Sequence, residues 1–262
     1  MKLISLNTLG GYFFPALMEF IGREAASTDV FLFQEVCDAA ADVPNVQGFR
    51  SNFFTELQLA LPDFDGSFRA IQEHAHPNDM NCPFDVAFGK ATFVRKGFSI
   101  THIEDVVLTS APELWLSGTA FITRIRLGDT QLTLCNVHAC PEPVNKRDCP
   151  ERIAASHEII EKMAHESGEK IIAGDFNLFP DTESIGLFAK NGYRNLIVDH
   201  KIKTTRGTLM KKMHPEYGLS ADGWHEFADY TFVSNGVRII SFEVPDLPLS
   251  DHLPMILEFD IA

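Results

Sequence analysis

Short apolar runs that each finish on a polar or charged residue recur along this chain, and no other feature limits the fold so strongly. In Lys170 to Pro180, KIIAGDFNLFP, the run Ile171-Ile172-Ala173 ends on Gly174 and is followed by Asp175 and Asn177. Two residues apart in extended chain, their side chains share one side. Leu3 to Asn7, Val30 to Val36 with Gln34 and Glu35, and Gln131 to Val137 with Asn136 and His138 repeat the design. Each reads as a buried strand that delivers a polar group to its own mouth. An Asp there can orient or deprotonate a water, and an Asn two positions on can donate its amide to a developing oxyanion, as hydrolysis at phosphorus requires. Gly, Asp and Asn also form Asx turns, so the stretch alone leaves both readings open.

The other elements follow from periodicity and punctuation. Pro15 opens a helix with Leu17, Phe20 and Ile21 on one stripe, and a further helix is expected near Phe53 to Ala60. Asn145 to His165 reads as the clearest helix, capped by Asp148, with Ile153, His157, Ile160 and Ala164 as its apolar stripe and His157 as a core histidine. Asp181 is expected to cap a helix through Ile185, Leu187 and Phe188. Two hairpins are expected: Thr119 to Leu127 with Gln131 to Val137 about Gly128-Asp129, and Asp229 to Val233 with Val237 to Phe242 about Asn235-Gly236. Leu249-Ser250-Asp251-His252 precedes a closing strand, Met255 to Phe259. His74 and His76 read as an exposed loop. Lys201 to Lys212 concentrates five basic residues, read as a solvated loop or a substrate-facing one.

With 262 residues, 45% of them hydrophobic, and no repeats or linkers, residues 1–262 form one expected domain with a sizeable core. A net charge of -14 argues against coating duplex nucleic acid through a general field. It leaves room for an enzyme acting on phosphates through a carboxylate-held cation, because the ion then carries the positive charge. The five cysteines are an odd number without framework spacing, and no secretory pattern or membrane-length apolar run occurs. Free thiols and a cytoplasmic location are the expectation. Cys135, His138, Cys140 and Cys149 lie close in sequence, but no CxxC pair is present, which disfavours zinc.

The polar strand ends, taken together as LNT with Asn7, QEV with Glu35, NVH with His138, GDFN with Asp175 and Asn177, ADYTFVS with Asp229 and LSDH with Asp251 and His252, resemble the exonuclease-endonuclease-phosphatase family. These are DNase I-like, metal-dependent phosphohydrolases. The resemblance runs nearly end to end and in the family's order. It implies an α/β (α+β) fold, a four-layer α/β/β/α sandwich of two mostly antiparallel sheets with helices outside. It also implies Mg2+, replaceable by Mn2+, with Glu35 as principal ligand and Asn7 and Asp251 completing the metal site directly or through water. His252, oriented by Asp229, and Asp175 would position and activate the attacking water, while Asn177 and His138 would contact phosphate oxygens. A carboxylate that supports this histidine in some members is missing before Ala91, where Gly89 stands; Asp85 is the available substitute.

The expected reaction is hydrolysis of a phosphodiester by a nuclease or nucleotide phosphodiesterase, with Arg206 in the basic loop holding substrate phosphate. The expected partner is a phosphate ester, nucleic acid or nucleotide. A phosphatase or phospholipase C-type enzyme on a small or lipid phosphate ester is the alternative, and a catalytically silent binding protein of the same fold the third reading.

Overall fold

The computed structural model describes residues 1–40, 42–45, 48–72, 85–109, 118–142, 144–213, 215 and 225–261. His74, His76 and Cys82 lie outside them. Alternation along the first strands sorts their side chains between two surfaces. In β1 (Lys2–Asn7) and β2 (Val30–Ala39), Ile4, Leu6, Phe31 and Phe33 pack with Leu17, Phe20 and Ile21 of α1 (Phe14–Ala25) and with Phe53 and Leu57 of α2 (Phe53–Ala60). Leu3, Val30 and Leu32, on the opposite face, join the cluster built by the second sheet. The period of two therefore fills both sides of one sheet, and each fully buried Phe or Leu contributes about 1.5–3 kcal/mol of transfer free energy.

That first sheet has six strands in the order β11-β12-β1-β2-β4-β3, with β3 at Phe64–Gln72, β4 at Val86–Arg95, β11 at Val237–Glu243 and β12 at Met255–Ile261. The second runs β5-β6-β7-β8-β10-β9, with β5 at Ser99–Thr109, β6 at Gly118–Leu127, β7 at Thr130–His138, β8 at Glu169–Asp175, β9 at Arg194–Asn195 and β10 at Asp229–Val233. Among the described strands β1/β2 and β7/β8 pair in parallel and the other pairs are antiparallel. α3 (Pro150–His165) and α4 (Glu183–Lys190) cover the second sheet through Ile159, Ile160, Met163, Ile185, Leu187 and Phe188, which completes the α/β/β/α sandwich. Among the described residues no helix is long and apolar enough to cross a membrane.

Three local expectations are corrected. Asn235-Gly236 makes a tight turn, with Val237 N–H donating to Ser234 at 3.1 Å, but the strands on either side do not pair. Instead β10 pairs with β8 and β9 in one sheet and β11 with β12 in the other. The Glu169 carboxylate accepts from Ser234 and from the Gly236 N–H, so the turn is pinned to β8 and the chain crosses between sheets. Helix α3 starts at Pro150, because the residue before a proline avoids the helical region and Cys149 is extended. Its buried stripe is Arg152, Ala155, Ser156, Ile159, Ile160 and Met163, and His157 is exposed. Asp148 caps α4 rather than α3, accepting from Glu183 N at 2.6 Å and Ser184 N at 3.1 Å, while Asp181 pairs with Arg147 at 2.7 Å.

Candidate active site

All nine residues singled out in the sequence meet at one edge of the sandwich. Glu35 arrives there because β2 carries a β-bulge between Gln34 and Val36. Strict alternation would put Glu35 beside Phe33, facing α1 and α2; the extra residue, at φ 54°, turns it out of the ladder toward the site. Thr8 stabilises this bend, its hydroxyl bonded to the carbonyls of Gln34 and Glu35 at 2.9 Å each. Asn7, one residue earlier, donates its amide to Glu35 at 2.9 Å and Asp175 at 3.1 Å, tying the two sheets across the site.

Below this edge the core becomes polar. Gln34 donates to Asn136 at 2.7 Å, and Asn136 donates to the carbonyls of Phe33 and Ala91, all buried. This buried network, in which Gln34 Oε1 alone lacks a partner, ties the two sheets together and so sets the distance between Glu35 on one and His138 and Asp175 on the other. In the second sheet His138 and Asp175 are register partners on parallel strands. Gly174 permits this approach: it lies at φ 140°, and a Cβ there would stand 2.1 Å from the Val137 carbonyl oxygen.

His252 is held from both ends. Its Nδ1 is 2.9 and 3.0 Å from the two Asp229 carboxylate oxygens, and its Nε2 is 3.6 Å from Asp175 and 3.8 Å from Asp251. The start of β10 that carries Asp229 is anchored by Thr205, whose hydroxyl accepts from the Ala228 and Asp229 N–H groups. Thr205 and its neighbour Arg206 are buried, so this part of the basic stretch is site wall rather than solvated loop; Lys201, Lys203, Lys211 and Lys212 are exposed. Arg206 donates to Asp251 at 2.7 Å.

The charges are tightly interdependent. Burial pushes Glu35 up to about 7, with Asp251 and Asp175 adding to the shift. Burial would raise Asp175 too, but His252, Lys146, His138 and Arg206 together bring it down to about 2. Burial and Arg206 press His252 downward, yet Asp229, Asp251 and Asp175 outweigh them and raise it above its ordinary value. Burial drives His138 down to about 4, so it is neutral at pH 7. Among the described residues no carboxylate bonds His138 Nδ1, and Asp85 is exposed.

Two site residues carry no signal in the sequence. Lys146 is buried and donates to Asn177 Oδ1. Lys90, on β4, crosses the sandwich to Thr119, the register partner of His138. Burial lowers them to about 8 and about 7 respectively. Lysine is the residue type least expected in an interior, so neither could be found from pattern alone.

The donor set suits a hard divalent cation. Glu35, His138 and Asp175 offer ligand atoms within 4.8 Å of one another, and Asp175, Asp229 and His252 form a second such group. Several carboxylates on one face, one of them displaced upward by burial and by its acidic neighbours, are what such an ion relieves. Cys135 stays in the apolar core, its thiol pushed up to about 12 by burial.

Carboxylates, histidines and amides thus converge on one edge of a two-sheet sandwich. The chain belongs to the Endonuclease/Exonuclease/phosphatase family, whose model matches residues 4–252. No curated protein matches it significantly. Among solved structures, a mannosyl-6-phosphatase from Bacteroides thetaiotaomicron is 15% identical with TM-score 0.71, each chain covering 100% of the other. The human Nocturnin catalytic domain with bound sulfate is 19% identical with TM-score 0.67, over 100% of this chain and 93% of that one. A family member from Leptotrichia buccalis is 16% identical with TM-score 0.71, again over 100% of both chains. At these identities the likeness is one of fold.

Proposed function

We propose that the protein is a divalent-metal-dependent phosphodiesterase, acting by in-line attack of water on a nucleotide or nucleic-acid phosphodiester. The observation that carries this reading is the His252–Asp229 pair, 2.9 Å apart, facing Asp175 beside Glu35. Asp175, ionised throughout the working pH range, accepts a hydrogen bond from the attacking water and aims it at phosphorus. His252, whose proton affinity is raised by its three carboxylate neighbours, turns Nε2 toward the attacking water and the phosphoryl oxygens, where negative charge grows. Asn177 and His138 contact the same oxygens. Glu35, with Asn7 and Asp251 directly or through water, would hold Mg2+ or Mn2+, which supplies Lewis acidity to the phosphoryl group. Arg206, bonded to Asp251, contributes positive charge next to the substrate phosphate. Cys135, Cys140 and Cys149 as free thiols fit a reducing, cytoplasmic setting.

A second reading, hydrolysis of a small phosphate monoester, draws on the net charge of -14, which disfavours a long polyanionic substrate. The mannosyl-6-phosphatase neighbour fits it as well. Rates on bis-p-nitrophenyl phosphate, p-nitrophenyl phosphate, a short oligonucleotide, sphingomyelin and inositol phosphates, with Mg2+ or Mn2+, separate the two. Bis-p-nitrophenyl phosphate and the oligonucleotide should be turned over at least about tenfold faster than p-nitrophenyl phosphate or sphingomyelin. Preference for the monoester or for inositol phosphates would select the second reading.

A further inference from the structure

Lys146 stands in the loop between β7 and α3, a stretch that nothing in the reaction just described requires to be built with such care. Arg152 of α3 donates to the carbonyls of Cys140, Pro141, Glu142 and Arg147, holding the loop from beneath. The Lys146 carbonyl accepts from Phe179 N–H at 3.0 Å, which ties the loop to the turn after β8. Lys146 itself sits at φ 58°, as does Asn177 at φ 53°, two non-glycine residues in the left-handed region facing each other across the site. Strain of this kind persists only where surrounding contacts over-determine it.

The contact they make has one possible polarity. A lysine ammonium donates and has no lone pair to accept with, so Asn177 Oδ1 must face Lys146 Nζ. A backbone carbonyl only accepts, so Asn177 Nδ2 must face the Ala139 oxygen, 3.1 Å away. The Asn177 N–H, meanwhile, donates to Asp175 Oδ1 at 2.9 Å. With Oδ1 and one Nδ2–H taken, a single Nδ2–H is left over, and its direction is fixed by the plane of the amide.

We infer that Lys146 is a positioning residue for the phosphate site, locking the Asn177 carboxamide so that its remaining N–H is aimed at the phosphoryl oxygens. The inference rests on the phosphoester hydrolase reading of this site. Without Lys146, only the Ala139 carbonyl opposes a 180° rotation of the Asn177 amide about its terminal bond, which would present an oxygen where the phosphate needs a donor. Burial, with Arg206 and Arg152, lowers the Lys146 ammonium to about 8 against the opposing pull of Asp175 and Asp229, which brings it within reach of titration. The lock therefore weakens in mildly alkaline solution.

Kinetics of Lys146→Met on bis-p-nitrophenyl phosphate with Mg2+ should show kcat lowered about 10- to 100-fold, below the cost of deleting an oxyanion donor outright, with KM changed less than threefold. Ethylamine added to Lys146→Ala should restore part of the loss in kcat. Independently of turnover, the ¹⁵N side-chain amide of Asn177, assigned by its disappearance in Asn177→Asp, should shift with a midpoint near 8 in the wild type. That shift should vanish in Lys146→Met. No such shift in the wild type, the same shift in the variant, or an active wild type whose Lys146→Met kcat lies within twofold would overturn the inference. An inactive wild type whose Asn177 amide still titrates near 8 would instead fault the hydrolase reading and leave the Lys146 lock intact.

Discussion

Asp229→Asn should lower kcat by three to four orders of magnitude while leaving the fold intact. The Asp229 carboxylate holds His252 Nδ1–H at 2.9 Å, so the opposite nitrogen, Nε2, is the one that points to Asp175 and Asp251. An asparagine is the same size and can still hydrogen-bond, but its amide group can donate to Nδ1 and so stabilise the wrong tautomer. Loss of the orienting carboxylate from a histidine–aspartate pair costs about 10⁴ in the serine proteases, where the geometry is otherwise preserved. The substitution also removes one of the three carboxylates that raise His252, so the imidazolium should lose its proton at lower pH. A kcat/KM profile should accordingly show its alkaline limb moved toward acid. An unshifted profile with a loss under tenfold would remove Asp229 from the mechanism.

Glu35→Gln should abolish activity and yet, without metal, stabilise the protein. Glu35 sits near 7 in the fold against an ordinary value of 4.5, chiefly through burial. Below 4.5 it is protonated folded or unfolded and costs nothing; as pH rises through 7 the folded state is forced to carry an unwanted charge and stability falls. At pH 8 that cost is at most on the order of 3 kcal/mol, since part of the side chain is reached by water. Gln carries no charge, and its oxygen can still accept from Asn7. Thermal melts in chelator should therefore give a higher Tm for the variant at pH 8, with the gap largely closed at pH 5. His138, lowered to about 4, has the opposite dependence but is common to both proteins and drops out of the difference. Added Mg2+ should raise the wild-type Tm and leave the variant unmoved, because an amide cannot supply the ligand charge. Equal Tm increments in the two proteins would show that Glu35 is not the principal ligand.

The strand ends were readable because period-two alternation and apolar run length are local properties, and the runs ending in Asn7, His138 and Asp175 and the run that Asp229 opens are strands in the fold. What decides pairing is not local. Asn235-Gly236 is a good turn in any context, but Glu169, far away in sequence, determines that the chain leaves it for another sheet. Asp148 and Asp181 are equally good caps by composition, and only the fold brings Asp148 to the start of α4. Glu35 was marked by its chemistry, yet the bulge that aims it depends on the Thr8 hydroxyl and on β4. Arg206, Lys146 and Lys90 violate the expectation that cations are solvated, and each does so beside a group of the site: Asp251, Asn177 and, through Thr119, His138. The departures from pattern thus cluster where chemistry is done, as sequences optimised for function as well as folding require.

The central claim is that carboxylate-held metal and the residues around it hydrolyse a phosphodiester. Its most direct measurement is the initial rate of bis-p-nitrophenyl phosphate hydrolysis by chelator-stripped protein, before and after titration with Mg2+. The account predicts no turnover above background without metal, a saturable rise as Mg2+ is added, and replacement by Mn2+. Full turnover in excess chelator, or none at any Mg2+ or Mn2+ concentration, would contradict it.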